Sequence, residues 1–268
     1  MIALDLANPG LRDILRMGIR RVYAYRMFTY LGVLQVFLQL VLLRAIWEAV
    51  YDDRAAVDGV PIERMITYLS VVGLINFMIF PGISREIGRR IEQGQVAVDM
   101  VRPVGFVRQM LALELGDSVG RWLLLVVVIP GLVLLGSLAP PSPVASILFL
   151  VSLTLAYAVS VSMWLLVGLS GFWLMQVSGM NGLIGMTSSF LAGSMIPIWF
   201  MPGPLRVVVE WLPFQAITYL PASIWVGQAT GVEIGRALGV QAFWVVVMGA
   251  LAAWVWRRAQ RHIVIQGG

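Results

Sequence analysis

The sequence contains no cysteine, no lysine and a single histidine, His262, which lies near its C-terminal end. The absence of cysteine excludes disulfide bonds, thiolate metal sites and cysteine nucleophiles. With one histidine, the chain also lacks the parts of a histidine metal site or of a Ser-His-Asp triad. Because all 19 basic residues are arginine, no lysine is present for a Walker A phosphate-binding loop. This excludes an ATPase of that kind.

Charged residues are scarce as well. Only 12% of the 268 residues are charged and 59% are hydrophobic, whereas soluble domains carry about 25% charged residues. This composition predicts an all-α integral membrane protein, and the net charge of +5 then gives no reason to expect a nucleic-acid partner. Apolar stretches that could cross a hydrocarbon core of about 30 Å predict six spans, at residues 27–50, 62–83, 117–138, 144–168, 180–199 and 234–256.

Two segments outside these spans are unusual. Residues 1–26 carry an apolar stripe opposite Arg12, Arg16 and Arg20. This pattern predicts an interfacial helix that lies on membrane lipids; a helix packed on the protein's own loops fits it nearly as well. Residues 196–231 are apolar but hold five prolines, so residues 200–231 are predicted to form short re-entrant helices rather than a continuous span.

A third segment, residues 84–103, interrupts the apolar sequence with charge. Ile83, Ile87 and Ile91 recur every four residues and would form one apolar stripe of a helix. The charged residues fall on the other faces: Arg85, Glu86, Arg89, Arg90 and Glu92. Gly94 is a plausible end for this helix, and the alternation that follows leads to Arg102-Pro103. We predict a short amphipathic helix outside the bilayer.

The arginines predict the orientation of the chain in the membrane. Fourteen of them lie in the N-terminal segment, in residues 84–121 and at the C-terminus, and the other five lie in the remaining loops. Arginine excess marks the cytoplasmic side. Both termini and residues 84–103 are therefore expected in the cytoplasm, and residues 200–231 outside.

No pattern in the sequence supports covalent chemistry or a metal site. There is no HExxH, no GxSxG and no pair of carboxylates deep inside a predicted span. Asp117 and Arg121 are one turn apart, which favours an intrahelical ion pair over a charge that meets substrate. The two halves do not repeat one another as those of many secondary transporters do. Six spans are also few to enclose a path alone, which favours a second copy or a related subunit.

The order of these segments resembles a known family. The run Ile87–Val104, with its Val-Arg-Pro end, together with residues 196–202 and 212–222, is similar to the signatures of ABC-2 type permeases. These are the membrane subunits of type V ABC exporters, and the resemblance is to the subfamily formerly described as uncharacterised ABC-2 permeases. It extends over nearly the whole chain.

The resemblance implies a separate nucleotide-binding ATPase subunit that carries ATP and Mg, with no cofactor in this chain. Residues 84–103, the coupling segment, would dock on that subunit through Arg85, Glu86, Arg89, Arg90 and Glu92. A second permease would complete a homodimer or a heterodimer. The path between the permeases would be lined by Asn76, Phe77, Phe80, Asn181, Thr187, Ser188 and Met195. The external broken helices would gate it through Pro197, Trp199, Pro213 and Phe214.

The predicted function is export of a drug-like amphiphile, a lipid or a lipid-linked molecule across the bacterial inner membrane. Three alternatives remain open. A stand-alone secondary carrier would need neither partner nor ATP. A subunit that anchors a surface assembly would move no small solute. A membrane-embedded lipid-modifying enzyme would need a catalytic constellation that the sequence does not present.

Overall fold

The computed structural model describes residues 8–52, 54–135, 138–174 and 177–266. Residues 1–7 of the expected interfacial helix lie outside this part of the chain. The N-terminal half of the fold begins with helix α1, which follows Asn8; the Asn8 side chain accepts a hydrogen bond from the Gly10 amide at 2.9 Å. The elements of this half are α1 Pro9–Ala24, α2 Arg26–Tyr51, β1 Ala56–Val57, β2 Val60–Pro61, α3 Ile62–Ile79, α4 Ile83–Glu92, α5 Val96–Val101, α6 Phe106–Trp122 and α7 Leu125–Leu134.

The C-terminal half contains the two longest helices and residues 196–231, the proline-rich segment. Its helices are α8 Pro143–Leu174, α9 Ser178–Leu191, α10 Gly203–Glu210, α11 Tyr219–Trp225 and α12 Val232–Gln266. Two 3₁₀ turns, Ile198–Phe200 and Pro213–Ala216, flank α10. Each turn follows a residue with extended backbone and starts near a proline, because proline cannot continue a helix through its own amide. Residues 200–231 are thus short helices and turns.

Four helical stretches are long and apolar enough to cross a membrane: Tyr30–Tyr51, Ile62–Glu92, Pro143–Leu174 and Val232–Arg261. A fifth candidate is the pair α6 and α7, which is bent by 42° at its break. The expected fifth span, residues 180–199, overlaps the 14-residue helix α9, which ends at Leu191. At 1.5 Å per residue, α9 is about 21 Å long and too short for a core of about 30 Å. The count of six spans is therefore not confirmed by the described residues.

Several boundaries differ from the sequence-based expectation. The expected third span, residues 117–138, begins inside α6, which runs from Phe106 to Trp122. Helix α8 continues to Leu174, beyond the expected end at residue 168. Residues 96–101, which follow the predicted helix end at Gly94, form a second helix, α5. Tertiary contacts favour a helix in this segment, because α5 places the Asp99 carboxylate, which is 3% exposed, against Arg90.

Five helix pairs carry most of the packing. Helix α1 packs on α6, α2 on α3, α4 on α8, α11 on α8 and α12 on α8. The large core cluster is centred on α3 and α8 and includes the buried side chains of Met65, Tyr68, Ile75 and Ile87. Helices α2 and α12 instead expose many large apolar side chains, as expected for surfaces that face lipid or another membrane subunit.

Candidate functional site

Helix α4 starts after a break that other helices hold in place. Helix α3 ends at Ile79, and Pro81 follows. The carbonyl oxygens of Met78 and Ile79 have no helical partner there. They accept hydrogen bonds from Trp122 Nε1 of α6 and from Ser160 Oγ of α8, each at 3.0 Å. The break between α3 and α4 is therefore held by hydrogen bonds from α6 and α8.

Glu86 of α4 lies at the centre of an ion-pair network. Its carboxylate accepts from Arg21 Nη1 at 3.0 Å, from Arg89 Nη2 at 2.7 Å and from Arg90 Nε at 2.8 Å. Arg21, on α1, also holds both carboxylate oxygens of Asp117 on α6. Burial opposes the charge of Arg21, but the carboxylates of Asp117 and Glu86 outweigh it and raise the Arg21 pKa. Helices α1, α4 and α6 are joined through these five side chains.

The network extends to α5. Arg90 pairs with Asp99, whose carboxylate is also 3.3 Å from Arg102 Nη1. Gln109 of α6 donates from Nε2 to the Asp99 carbonyl oxygen at 2.8 Å and holds the same stretch against α6. The coupling segment therefore comprises two helices that are joined to each other and to the membrane helices by charged and polar contacts.

The predicted pair of Asp117 with Arg121 is wrong. Asp117 pairs with Arg21, which is 96 positions away in the sequence, and Arg121 pairs with Glu114 at 3.1 Å. Glu114 also accepts the Gly82 amide at 2.8 Å, at the start of α4. A carboxylate at this position accepts from an amide that has no partner within the helix, and it interacts favourably with the positive end of the helix dipole.

Among the five residues predicted to face the ATPase, two turn inward. The Glu86 side chain is 10% exposed and that of Arg90 is 12% exposed, because both belong to the network. Arg85, Arg89 and Glu92 are exposed. Ile83 and Ile87 are buried and Ile91 is half-buried, as their periodicity predicted. The surface that α4 offers to another protein is thus narrower than the sequence suggested.

Helices α1 and α6 approach each other through glycines. A β-carbon on Gly18 would lie 2.5 Å from the Leu113 carbonyl oxygen and 2.9 Å from the Asp117 amide nitrogen. A β-carbon on Gly116 would meet the Leu15 carbonyl oxygen. The Gly116-xxx-Gly120 pattern therefore serves contact within the chain, where small residues let two helix backbones approach closely. This contact places Arg21, one turn after Gly18, over Asp117.

A cavity of about 690 Å³ extends from the network to the proline-rich segment. Helices α2, α3 and α9 form much of its wall, and Ile217 and Thr218 line it near the turn before α11. Five of the seven predicted path residues line it: Asn76, Phe77, Phe80, Ser188 and Met195. The volume falls in the range of small-molecule sites, about 300–1,000 Å³.

The two other predicted path residues and the four predicted gate residues do not line this cavity. Asn181 accepts a hydrogen bond from Ser84 Oγ at 2.7 Å, and Thr187 is exposed. Pro197 and Pro213 are buried, and Trp199 and Phe214 are half-buried. Trp199 lies in an aromatic group, with its ring centroid 4.7 Å from that of Tyr68 and 5.7 Å from that of Tyr219. These four residues thus lie in or next to the two 3₁₀ turns that flank α10.

Comparison with known families identifies the class of this structure. The family model described as ABC-2 family transporter protein matches residues 33–267. The chain belongs to this family. The match covers most of the chain, including the coupling segment and the proline-rich segment, and it confirms the resemblance inferred from the sequence. The ABC-2 chain is a multi-pass membrane protein of a transport system, with a transport role rather than a catalytic one. No match to a curated protein was found.

Sequence reasoning did not predict the role of Arg21 in this ABC-2 chain. Arg21 was counted with the other N-terminal arginines, yet it lies off the stripe formed by Arg12, Arg16 and Arg20. It follows Gly18 by three positions and Ile14 by seven, which places it on the packed face of α1. An arginine on the packed face of α1 is the feature from which a buried ion pair could have been predicted. Its partners could not be identified, because they lie on other helices.

Proposed function

We propose that this ABC-2 chain is the membrane-spanning subunit of an ATP-driven exporter in a bacterial inner membrane. Its termini and coupling segment lie in the cytoplasm, and ATP and Mg bind to a separate ATPase subunit. A second permease, identical or related, completes the path. The transported molecule is a lipid, a lipid-linked molecule or a drug-like amphiphile.

The observation that carries this proposal is the two-sided character of α4. Arg89 and Glu92 are exposed, do not line the cavity and are available to a partner protein. Glu86 and Arg90, on the same ten-residue helix, are held inside by ion pairs with α1 and α5. A force applied to the exposed side is therefore passed to other helices through charged contacts rather than absorbed by a free loop.

A second route for this movement leads from α4 to α8. A β-carbon on Gly168 of α8 would lie 3.0 Å from the Cα of Ser84 and 3.0 Å from Cδ1 of Ile87. The two helices thus pack with little space between them, and close-packed interiors transmit displacement. Movement of α4 would tilt α8 together with α1 and α6, and would change the shape of the cavity that they border.

Exchange of the charges of Arg89 and Glu92 tests the docking role without a change in net charge. We expect the Arg89→Glu/Glu92→Arg variant to lose most of the ATPase that co-purifies with the affinity-tagged chain, and to lose transport. Glu86 would keep Arg21 and Arg90 as partners. Co-purification from cells of the native host, followed by an ATPase assay, measures the association.

The matched control is an exchange on α1. Arg16 and Asp13 form an exposed pair at 3.6 Å and have the same three-residue spacing. The Asp13→Arg/Arg16→Asp variant should retain both the ATPase and transport. If the α4 variant keeps the ATPase and transport at the level of this control, α4 is not the docking element.

A further inference from the structure

The charged residues that line the cavity are not balanced. Three of them, Arg21, Arg85 and Arg121, are basic, and only Asp117 is acidic. Arg21 engages both oxygens of Asp117, so this acid is already neutralised within the chain. Arg121 is paired with Glu114, which does not line the cavity, whereas Arg85 forms no ion pair with a described residue. The positive charge of Arg85 therefore remains at the end of the cavity next to the network.

Arg85 and Arg121 also have guanidinium N–H groups that make no hydrogen bond to a described residue. Arg85 has no hydrogen bond or ion pair with any residue that the structure describes. Arg121 Nη2 donates to Glu114 and Ser118, and Arg121 Nη1 has no hydrogen bond with a residue in the described part of the chain. A guanidinium nitrogen that has no partner in the chain, on a residue that lines the cavity, can donate to an acceptor on a ligand.

The wall next to these arginines is aromatic and apolar. The rings of Phe80 and Trp164 have centroids 5.2 Å apart, and both residues line the cavity, as do Phe77 and Val36. A ligand that spans this boundary would place an anionic group on the arginines and an apolar body on the rings. Arginine binds phosphate through paired hydrogen bonds with both charge and geometric complementarity.

We propose that the cavity binds an amphiphile with a phosphate headgroup, with the phosphate on Arg85 and Arg121 and the hydrocarbon on Phe77, Phe80 and Trp164. This assignment rests on the proposed transport function and names its substrate class. Binding itself requires only the permease, so it is measured on the full chain in an uncharged detergent without an ATPase. A failure to find an ATPase partner therefore leaves this test unaffected.

The probes are dioctanoyl phosphatidic acid and dioctanoylglycerol, which differ only by the phosphate, and inorganic phosphate alone. Native mass spectrometry or a tryptophan fluorescence titration gives the dissociation constants. We expect phosphatidic acid to bind at least about tenfold more tightly than either other probe, because a charge-assisted hydrogen bond contributes a factor of about ten or more. Arg85→Gln and Arg121→Gln should each weaken phosphatidic acid by about tenfold and leave dioctanoylglycerol unchanged.

The control variant is Arg108→Gln, which removes an exposed arginine that does not line the cavity. It should bind phosphatidic acid like the unmodified chain. Equal affinity for the two lipids would overturn the proposal, as would an equal loss of affinity in the Arg108 and Arg85 variants. Binding of inorganic phosphate as tight as that of phosphatidic acid would also overturn it, because the apolar wall would then contribute nothing. Arg85 is exposed, so its variant keeps the test valid if Arg121→Gln does not fold.

Discussion

Replacement of Gly18 by alanine tests the close contact between α1 and α6. The added β-carbon would lie 2.5 Å from the Leu113 carbonyl oxygen and 2.9 Å from the Asp117 amide. Both contacts are to backbone, which cannot rotate away as a side chain can. To reach an ordinary contact distance of about 3.4 Å, α1 must move by about 0.9 Å. Arg21, one turn later, would move with it.

The expected cost follows from two opposing effects. Overpacking of a tight contact costs about 1–3 kcal/mol, whereas alanine in place of glycine favours a helix by about 1 kcal/mol. The net loss of stability is about 0–2 kcal/mol, or at most about 8 °C in unfolding midpoint for a chain of this size. Relative to a glycine-to-alanine change without such a contact, the loss is about 1–3 kcal/mol. The contact from Arg21 Nη1 to Glu86 Oε2, now 3.0 Å, would lengthen toward the limit of a hydrogen bond.

Thermal unfolding of the purified chain in one detergent, followed by tryptophan fluorescence, measures this loss. Gly249→Ala on α12 is the matched control, because no atom lies within 4 Å of its added β-carbon. The control should unfold at the same temperature or slightly above it. The reasoning would be refuted if Gly18→Ala were as stable as Gly249→Ala, since the close contact would then not exist.

Two further predictions concern polar contacts. Arg21→Gln and Asp117→Asn should show a coupling energy of about 1–2 kcal/mol in a double-mutant cycle of unfolding free energies, because the pair is bidentate yet Arg21 is partly solvated. Gln241→Leu should lower stability by about 2 kcal/mol or more. It would remove hydrogen bonds to the Ser152 hydroxyl at 2.8 Å and to the Ala216 carbonyl at 2.8 Å and leave both groups buried.

Each of these predictions has an internal control. The exposed pair Asp13 and Arg16, 3.6 Å apart, should give a coupling energy near zero. Additive effects in the Arg21 and Asp117 cycle would show that the bidentate contact contributes no more than this exposed pair. For Gln241, the reference is Gln228→Leu, since the Gln228 side chain has no partner among the described residues. Equal stability of the two leucine variants would contradict the role given to Gln241.

Part of the candidate site was predictable because its signal is local. The four-residue spacing of Ile83, Ile87 and Ile91 predicted which face of α4 packs inward. The same spacing grouped Glu86 with the exposed charged residues, although the Glu86 side chain is only 10% exposed. Whether a charged side chain between two faces turns in or out depends on what lies opposite, and Arg21 lies opposite Glu86.

The path and gate residues show the same limit. Asn76, Phe77 and Phe80 are close in sequence and line one cavity, since they lie at the C-terminal end of α3. Thr187 lies next to Ser188 in the sequence, but only Ser188 lines the cavity, because successive residues of a helix point about 100° apart. The rotation of α9 about its own axis is set by packing and leaves no signal in a single sequence.

The sequence by itself determined the membrane class, the amphipathic helices, the proline-broken segment and the ABC-2 family, because these depend on composition and short-range patterns. The tertiary structure alone decided which charges pair. The Arg21–Asp117 pair joins residues 96 positions apart, and it forms only because glycines let α1 and α6 come together. It also decided that Arg85 and Arg121 border a common cavity, since the two residues lie on helices whose relative position follows from packing.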